Sequence, residues 1–231
     1  SSAALALMLA ACGSSDTEET YVIGVTQFVE HPSLDAAYEG FQKALEDAGL
    51  DVEYKYNTAN GDNSANMSVA QTLVGDGVDL IFANSTPSAQ AAKSATSDIP
   101  IVFTSVTDAV GAELVASMEA PGGNVTGTVD LHPDTIANTV AFLKDELGAK
   151  KVGTVYNTGE QNSIAQVEQI KAALEAEGIE LVEAAVSTSA DVKSATESLL
   201  GKVDSFYIIT DNTVVSALEA VIDVANANTL P

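Results

Sequence analysis

The sequence contains no arginine and no tryptophan, and it has one cysteine among its 231 residues. Thirty-three acidic residues stand against nine lysines, which gives a formal net charge of -24 at pH 7. DNA and RNA are excluded as partners, because binding them requires a basic surface that displaces counterions from phosphates. Anionic lipid surfaces are excluded for the same reason. A single cysteine also excludes a disulfide bond within the chain.

The absence of arginine restricts how the protein can hold an anion. A carboxylate or phosphate must be bound by lysine, by hydroxyl groups or by backbone N–H groups at the start of a helix. The common catalytic and phosphate-binding motifs are also absent, including G-x-S-x-G, H-E-x-x-H and the P-loop. Two histidines, His31 and His132, are too few for a metal site. We therefore expect a binding protein without metal or cofactor, rather than an enzyme.

The cysteine, Cys12, follows directly on an apolar run over residues 3–11. This run has the length of a secretory h-region and is too short to span a membrane. Leu9 and the two small residues after it are similar to a bacterial lipobox. Residues 1–20 are therefore predicted to be a signal-peptide remnant, a lipobox and a tether. Lipidation of Cys12 would anchor the protein to the outer face of the cell membrane; an ordinary buried cysteine is the alternative.

Short apolar runs bounded by turn residues alternate with longer segments of helical period, which is typical of parallel sheets covered by helices. The predicted strands are Tyr21–Thr26, Val52–Tyr56, Asp79–Ala83, Pro100–Thr104, Lys151–Tyr156, Glu180–Ala185 and Ser205–Thr210. The first helix is expected to begin after Ser33 as its N-cap and to end at Gly49.

Five positions of the first half recur in the second half at one offset of 129 residues. Gly24, Tyr38, Phe41, Leu45 and Gly49 correspond to Gly153, Val167, Ile170, Leu174 and Gly178. We expect an α/β fold of two Rossmann-like lobes, although generic α/β regularity would produce similar spacing.

The stretch Pro121–Gly127 contains one proline and three glycines and is predicted to be a crossover rather than a packed element. We therefore predict an N-terminal lobe over residues 21–120, a hinge over 121–129 and a C-terminal lobe over 130–231. Two such lobes form a cleft between the carboxyl ends of their strands, where open α/β sheets bind ligands.

Polar residues follow the predicted strands at this cleft. Ser85 and Thr86 precede a helix with Pro87 in its first turn, an arrangement that can bind a carboxylate through free N–H groups. Asp211 occupies the matching position of the second lobe and would favour an ammonium group. Asp108 follows strand four and could also pair with an α-amino group. A structural cap or a solvated loop is the alternative for each.

The sequence resembles bacterial ABC-transporter solute-binding lipoproteins of the tryptophan/tyrosine-binding kind, which have the type I periplasmic-binding fold. The matching stretches are IGVTQFVEHPSLDAAYEGFQKAL, DLIFANSTPSAQAA, IPIVFTSVTDAV, PGGNVTGT and VGTVYNTGEQNS, within residues 21–231. The resemblance implies that the cleft closes on an aromatic amino acid and that the closed form delivers it to an ABC permease. It places ligand contacts at Gln27, Ser85, Thr86, Ser105, Asp108, Asn157, Asn162 and Asp211.

Phe28 is a further candidate contact, because its ring could flank an aromatic ligand at the mouth of the cleft. Two features depart from the family. Ala109 stands where proline is usual, and Leu230-Pro231 falls where another strand would begin, so the C-terminal part of the second lobe is expected to be missing. A sugar- or autoinducer-binding protein and a sensor ectodomain remain alternatives, although the absence of tryptophan counts against a sugar site. A monomer is expected.

Overall fold

The computed structural model describes residues 20–231, so Cys12 and the predicted lipobox lie outside the described residues. The strands are β1 (Tyr21–Gln27), β2 (Val52–Thr58), β3 (Leu80–Asn84), β4 (Ile101–Val106), β5 (Val125–Val129), β6 (Lys151–Asn157), β7 (Glu180–Val186) and β8 (Ser205–Phe206). The helices are α1 (Pro32–Asp47), α2 (Asn63–Gly75), α3 (Thr86–Ala95), α4 (Thr135–Asp145), α5 (Gln161–Ala176), α6 (Val192–Ser198), α7 (Asn212–Val215) and α8 (Leu218–Ala227).

The strands form two parallel sheets, which confirms the predicted α/β class of the type I periplasmic-binding fold. The first sheet has the order β2-β1-β3-β4-β5, and the second has the order β7-β6-β8. In each sheet, the strand that comes first in the chain lies in the interior of the sheet, and the later strands lie on both sides of it. Within residues 20–231, no helix is both long enough and apolar enough to cross a membrane.

Helix α1 packs an apolar stripe on the first sheet. The ring of Phe41 stacks on that of Phe82 with a centroid distance of 4.0 Å, and Tyr38 and Leu45 pack in the same cluster. The predicted N-cap at Ser33 is wrong. His31 is the N-cap, because Pro32 is already suited to the first helical turn and the His31 side chain accepts a hydrogen bond from the Leu34 N–H.

The two-fold repeat extends to individual contacts. Gly49 and Gly178 both have a positive φ, of 71° and 72°, and both terminate a helix as predicted. Beyond them, the Leu50 N–H donates to Leu45 O at 3.1 Å, and the Ile179 N–H donates to Leu174 O at 2.9 Å. These are paired helix C-terminal turns of the same kind, in which glycine adopts the left-handed conformation at low cost.

The carboxylates of two aspartates hold the starts of the central strands in the same way. Asp79 accepts a hydrogen bond from the Val22 N–H at 2.7 Å, and Asp204 accepts one from the Lys151 N–H at 3.1 Å. The lobes thus share one plan for joining the first strand to the third.

The structure corrects the interpretation of Pro121–Gly127 as an unpacked crossover. Residues Val125–Val129 form β5, which pairs in parallel with β4 and completes the first sheet. Gly127 is required there because a Cβ at this position would overlap the carbonyl oxygen of Phe103. The chain therefore leaves the first sheet only after Val129 and reaches α4 through residues 130–134.

The last predicted strand is shorter than expected. Ser205–Thr210 was predicted to be extended throughout, but only Ser205–Phe206 is a strand. The Tyr207 N–H still donates to Gly153 O at 2.9 Å, after which the Asp211 N–H bonds to Ile209 O and turns the chain toward α7. This turn places Thr210 and Asp211 at the edge of the cleft.

Candidate ligand-binding cleft

The carboxyl ends of the two sheets face each other, and side chains from the two lobes meet across the cleft. Asn63 Nδ2 donates to Gly159 O at 3.3 Å, and Gln161 Nε2 donates to Gly111 O at 3.3 Å. On the hinge side, the hydroxyl groups of Thr107 and Thr210 lie 3.1 Å apart. These contacts hold the described chain in a closed arrangement of the lobes.

Two cavities lie between the lobes. The outer cavity, of about 530 Å³, is lined by polar residues that follow β2 and β6, among them Asn63 and Thr158. The inner cavity, of about 110 Å³, is lined by His31, Ser33, Leu34, Ser105 and Asp130 of the first lobe and by Thr210, Asp211, Asn212 and Val215 of the second. The inner cavity therefore receives residues from the carboxyl ends of strands in both sheets, where α/β proteins bind ligands.

The start of α3 has an unusual backbone conformation, although Ser85 and Thr86 are buried and are not part of the lining of either cavity. Ser85 is the N-cap, one residue earlier than the prediction of Pro87 as the first helical residue implies, and its φ of 103° and ψ of 160° form a conformation that costs a non-glycine residue about 1–3 kcal/mol. Its hydroxyl makes no capping bond. The hydroxyl oxygens of Ser85 and Thr86 are buried without a hydrogen-bond partner in the described part of the chain. Strain and unpartnered polar groups together mark this helix start as a candidate anion site.

The start of α5 brings a second pair of buried polar atoms from the other lobe. Gln161 Oε1 and Asn162 Oδ1 have no hydrogen-bond partner among residues 20–231, and α5 is in contact with α3. The amide nitrogen of Asn162 donates to Thr210 O at 3.0 Å, which fixes the direction of the side chain. The structure thus brings Asn162 to the cleft, on the side that faces the first lobe.

Asp211 is fully buried and serves its own lobe. It accepts hydrogen bonds from the Asn157 N–H at 2.6 Å, the Ser163 hydroxyl at 2.7 Å and the Val214 N–H at 2.8 Å. The predicted helix cap is confirmed by the last of these bonds. Burial, and then the neighbouring charge of Glu160, raise the pKa of Asp211 to about 6, while the three hydrogen bonds oppose that rise. Asn157 is held in the same network.

Glu160 is a buried acid that sequence reasoning did not select. Its Oε2 accepts from the Asn212 side-chain amide at 2.6 Å, and its Oε1 accepts from the Thr213 N–H at 3.0 Å and the Thr213 hydroxyl at 2.8 Å. Glu160 therefore braces the start of α7, which forms one wall of the inner cavity. No local pattern indicates this role, because its partners lie more than 50 residues away.

Gln27 and Phe28 support the loop after β1. Gln27 is buried; its amide donates to Asp35 at 2.8 Å and its carbonyl oxygen accepts from Asn84 at 2.9 Å. The Phe28 ring is fully buried and is not part of the lining of either cavity, in contrast to its expected place at the cleft mouth. An apolar ring at this point is better shielded behind the loop than exposed beside polar groups.

Ser105, near the carboxyl end of β4, and Asp108, which follows β4, have different surroundings. Ser105 has φ 55° and lines the inner cavity. Asp108 is half-buried and accepts a hydrogen bond from the Gly111 N–H at 2.8 Å, which closes its own turn. Asp130, which the sequence analysis did not select, does line the inner cavity. Asp130 is exposed as a whole residue, but partial burial of its carboxyl group raises its pKa.

Two α/β lobes with parallel sheets and a polar cleft at their carboxyl edges define a solute-binding protein of the type I periplasmic-binding class. Residues 22–231 match the model of a family described as ABC transporter substrate binding protein. The chain belongs to this family, and the resemblance inferred from its motifs is confirmed.

The chain is similar to several characterised members. It is 46% identical over 222 residues to a tyrosine-binding protein of Clostridioides difficile (strain R20291), covering 94% of this chain and 64% of that protein. A Streptococcus pneumonia ABC domain in complex with L-Trp is 34% identical, with a TM-score of 0.84 over 92% of this chain and 73% of the other. The chain thus spans about two thirds of the length of the tyrosine-binding protein.

A third relative is informative about the arrangement of the lobes. The ligand-free, open structure of a Clostridium difficile substrate-binding protein with adhesive properties is 42% identical, and the match covers 91% of this chain and 72% of that one. Its TM-score is only 0.59, against 0.84 for the less similar tryptophan complex. The described chain therefore has its lobes disposed as in the ligand-bound relative.

Proposed function

We propose that the protein captures an aromatic amino acid in the cleft between its lobes and delivers it to the permease of an ABC importer. The observation that carries this proposal is the start of α3. Ser85 and Thr86 present two buried hydroxyl groups without partners there, beside the free N–H groups of the first helical turn. A helix start of this kind holds a carboxylate without arginine, a residue that the sequence lacks.

The α-ammonium group of the ligand would then need an acid. Asp130 is the first candidate, because its carboxyl group lines the inner cavity together with Ser105. Asp108 is the second candidate. It ranks lower because its carboxylate already accepts a hydrogen bond from the Gly111 N–H. Asp211 is less available for this role, because three donors of its own lobe occupy its oxygens. Asn157 and Asn162 would contribute hydrogen bonds from the second lobe.

The preference for an aromatic side chain rests on the relatives. One is named as tyrosine-binding, and another was solved with L-Trp. The closed arrangement of the lobes supports a mechanism in which ligand binding stabilises closure, and the closed form then docks on the permease. The protein would act as a monomer on the outer face of the membrane, anchored by a lipid on Cys12.

A thermal-shift panel of the twenty amino acids and several sugars, applied to the whole protein, tests the proposal. We expect tyrosine, tryptophan and phenylalanine to raise the melting temperature, because a ligand that binds only the folded state stabilises it by mass action. Stabilisation by a sugar or by aliphatic amino acids alone would contradict the aromatic assignment. No stabilisation by any amino acid would overturn the proposed ligand class.

A further inference from the structure

We propose that His31 is a positioning residue that links closure of the cleft to release of a proton. His31 belongs to the first lobe, yet the residue is only 7% exposed and lines the inner cavity together with Asn212 of the second lobe. The residue is therefore buried against the opposite lobe in the closed arrangement. This inference rests on the proposed ligand-driven closure. The experiments below distinguish a failure of the His31 inference from a failure of the proposed function.

The hydrogen bonds around the ring favour its neutral form. The Leu34 N–H points at Nδ1 from 3.5 Å, an arrangement that favours the neutral ring with its proton on Nε2. Nε2 is buried next to the Asn212 side chain, without a hydrogen bond of good geometry among residues 20–231. A second proton on the ring would set two donors, Nδ1–H and the Leu34 N–H, against each other.

Asn212 is the group across the cleft that Nε2–H is suited to meet. The Asn212 amide nitrogen donates to Glu160 Oε2 at 2.6 Å, which leaves the amide oxygen of Asn212 as the acceptor for a donor from the first lobe. A small further approach of the lobes around a ligand would complete the bond from Nε2–H to that oxygen. Glu160 thereby orients the acceptor, and His31 supplies the donor.

The charged groups near the ring are all acidic. Asp35 lies on α1, Glu160 precedes α5, and Asp130 and Asp211 share the lining of the inner cavity with His31. Burial nevertheless lowers the pKa of His31, and the attractions of Asn212, Asp35 and Glu160 only partly offset that effect. A ring that loses solvent on closure therefore gives up its proton to the solvent as the lobes meet.

The sign of the pH effect follows from this geometry. A group whose pKa falls on closure makes the closed form less favourable below its open-state pKa, so ligand affinity decreases as pH falls. With an ordinary histidine pKa of 6.5 in the open form, the decrease from pH 7.5 to pH 5.5 is at most about tenfold. The raised pKa values of Asp130 and of Asp211, the latter to about 6, act with the opposite sign, so the effect of His31 is the difference between the parent and a variant without this imidazole.

The chain offers a matched control for this test. His132 is exposed, and its Nδ1 accepts the Asp134 N–H within a surface turn. His31→Asn keeps a good N-cap and removes the titrating group, whereas His132→Asn does the same at the exposed site. Because the sequence contains two histidines, a comparison of the two variants separates the contribution of His31 from that of His132.

The first measurement needs no ligand. Spin labels at Glu39→Cys on α1 and Glu175→Cys on α5, in a Cys12→Ser background, report the distance between the lobes of the whole protein. As pH falls from 7.5 to 5.5, we expect the closed population of the parent and of His132→Asn to decrease relative to that of His31→Asn. Equal pH dependence in all three proteins would overturn the inference.

The second measurement titrates L-tyrosine and L-tryptophan by calorimetry in buffers of different ionisation enthalpy. Near pH 6, binding should release more protons from the parent and from His132→Asn than from His31→Asn. Tight binding with the same proton release in His31→Asn would overturn this inference alone. An absence of binding at every pH would instead overturn the proposed function, and the spin-label distances would still decide the role of His31.

Discussion

Replacement of Ser85 should separate ligand affinity from stability. The Ser85 hydroxyl is buried without a partner in the described residues, so removing it should leave the free energy of unfolding unchanged or raise it. A hydrogen bond from this hydroxyl to a carboxylate contributes about 1.5–3 kcal/mol. Ser85→Ala should therefore weaken the binding of an aromatic amino acid by about tenfold to 150-fold, while the protein stays folded.

A second substitution at the same position uses the backbone. Ser85 has φ 103°, which glycine adopts without strain. Ser85→Gly should lose as much affinity as Ser85→Ala but raise the free energy of unfolding by about 1 kcal/mol, since the strain released exceeds the added freedom of the unfolded chain.

Calorimetry and urea denaturation measure both effects, with Ser94→Ala as the control. Ser94 lies on the same helix, is exposed, and bonds to Gln90 O. Its replacement should change neither affinity nor stability by more than about 0.5 kcal/mol. Unchanged affinity in folded Ser85→Ala protein would refute the assignment of the carboxylate to the start of α3.

Three further outcomes are expected. Asp130→Asn should weaken amino-acid binding by about tenfold to a hundredfold in calorimetry, because a charge-assisted bond to the ammonium group is lost; an effect no larger than that of Asp108→Asn would contradict its rank. Cys12→Ser should abolish labelling by a palmitate analogue and recovery in the membrane fraction, and retention of both would rule out the lipid anchor. Gly127→Ala should lower the free energy of unfolding by about 3 kcal/mol, because the new methyl group meets Phe103 O, whereas Gly40→Ala on open helix surface should raise it by about 1 kcal/mol in urea denaturation.

Buried apolar runs make β1 and β6 easy to predict from the sequence. Both were predicted to within one residue, and five successive residues of β1 and four of β6 are buried. β5 was missed because only Val125 of its five residues is buried and because it follows a proline and two glycines. An edge strand of this kind depends on pairing with β4, and no periodic pattern in its own sequence records that pairing.

The residues of the candidate site also differ in whether the sequence alone predicts them. Ser85, Thr86 and Ser105 could be selected because each lies at or directly after the carboxyl end of a strand, a position that local sequence reveals. Asp130 and Glu160 could not, since their importance depends on which lobe they meet after folding. The contact of Glu160 with Asn212, for example, joins residues that are 52 positions apart. Charge and hydroxyl content alone did not distinguish them from solvated loop residues.

A crystal structure of the whole protein with L-tyrosine or L-tryptophan tests the central claim most directly. The account predicts closed lobes with the ligand carboxylate within hydrogen-bonding distance of the Ser85 and Thr86 hydroxyls and of the first N–H groups of α3. It also predicts the ammonium group next to an acid of the inner cavity. A ligand bound with its carboxylate elsewhere, leaving both hydroxyls without a partner, would contradict the account.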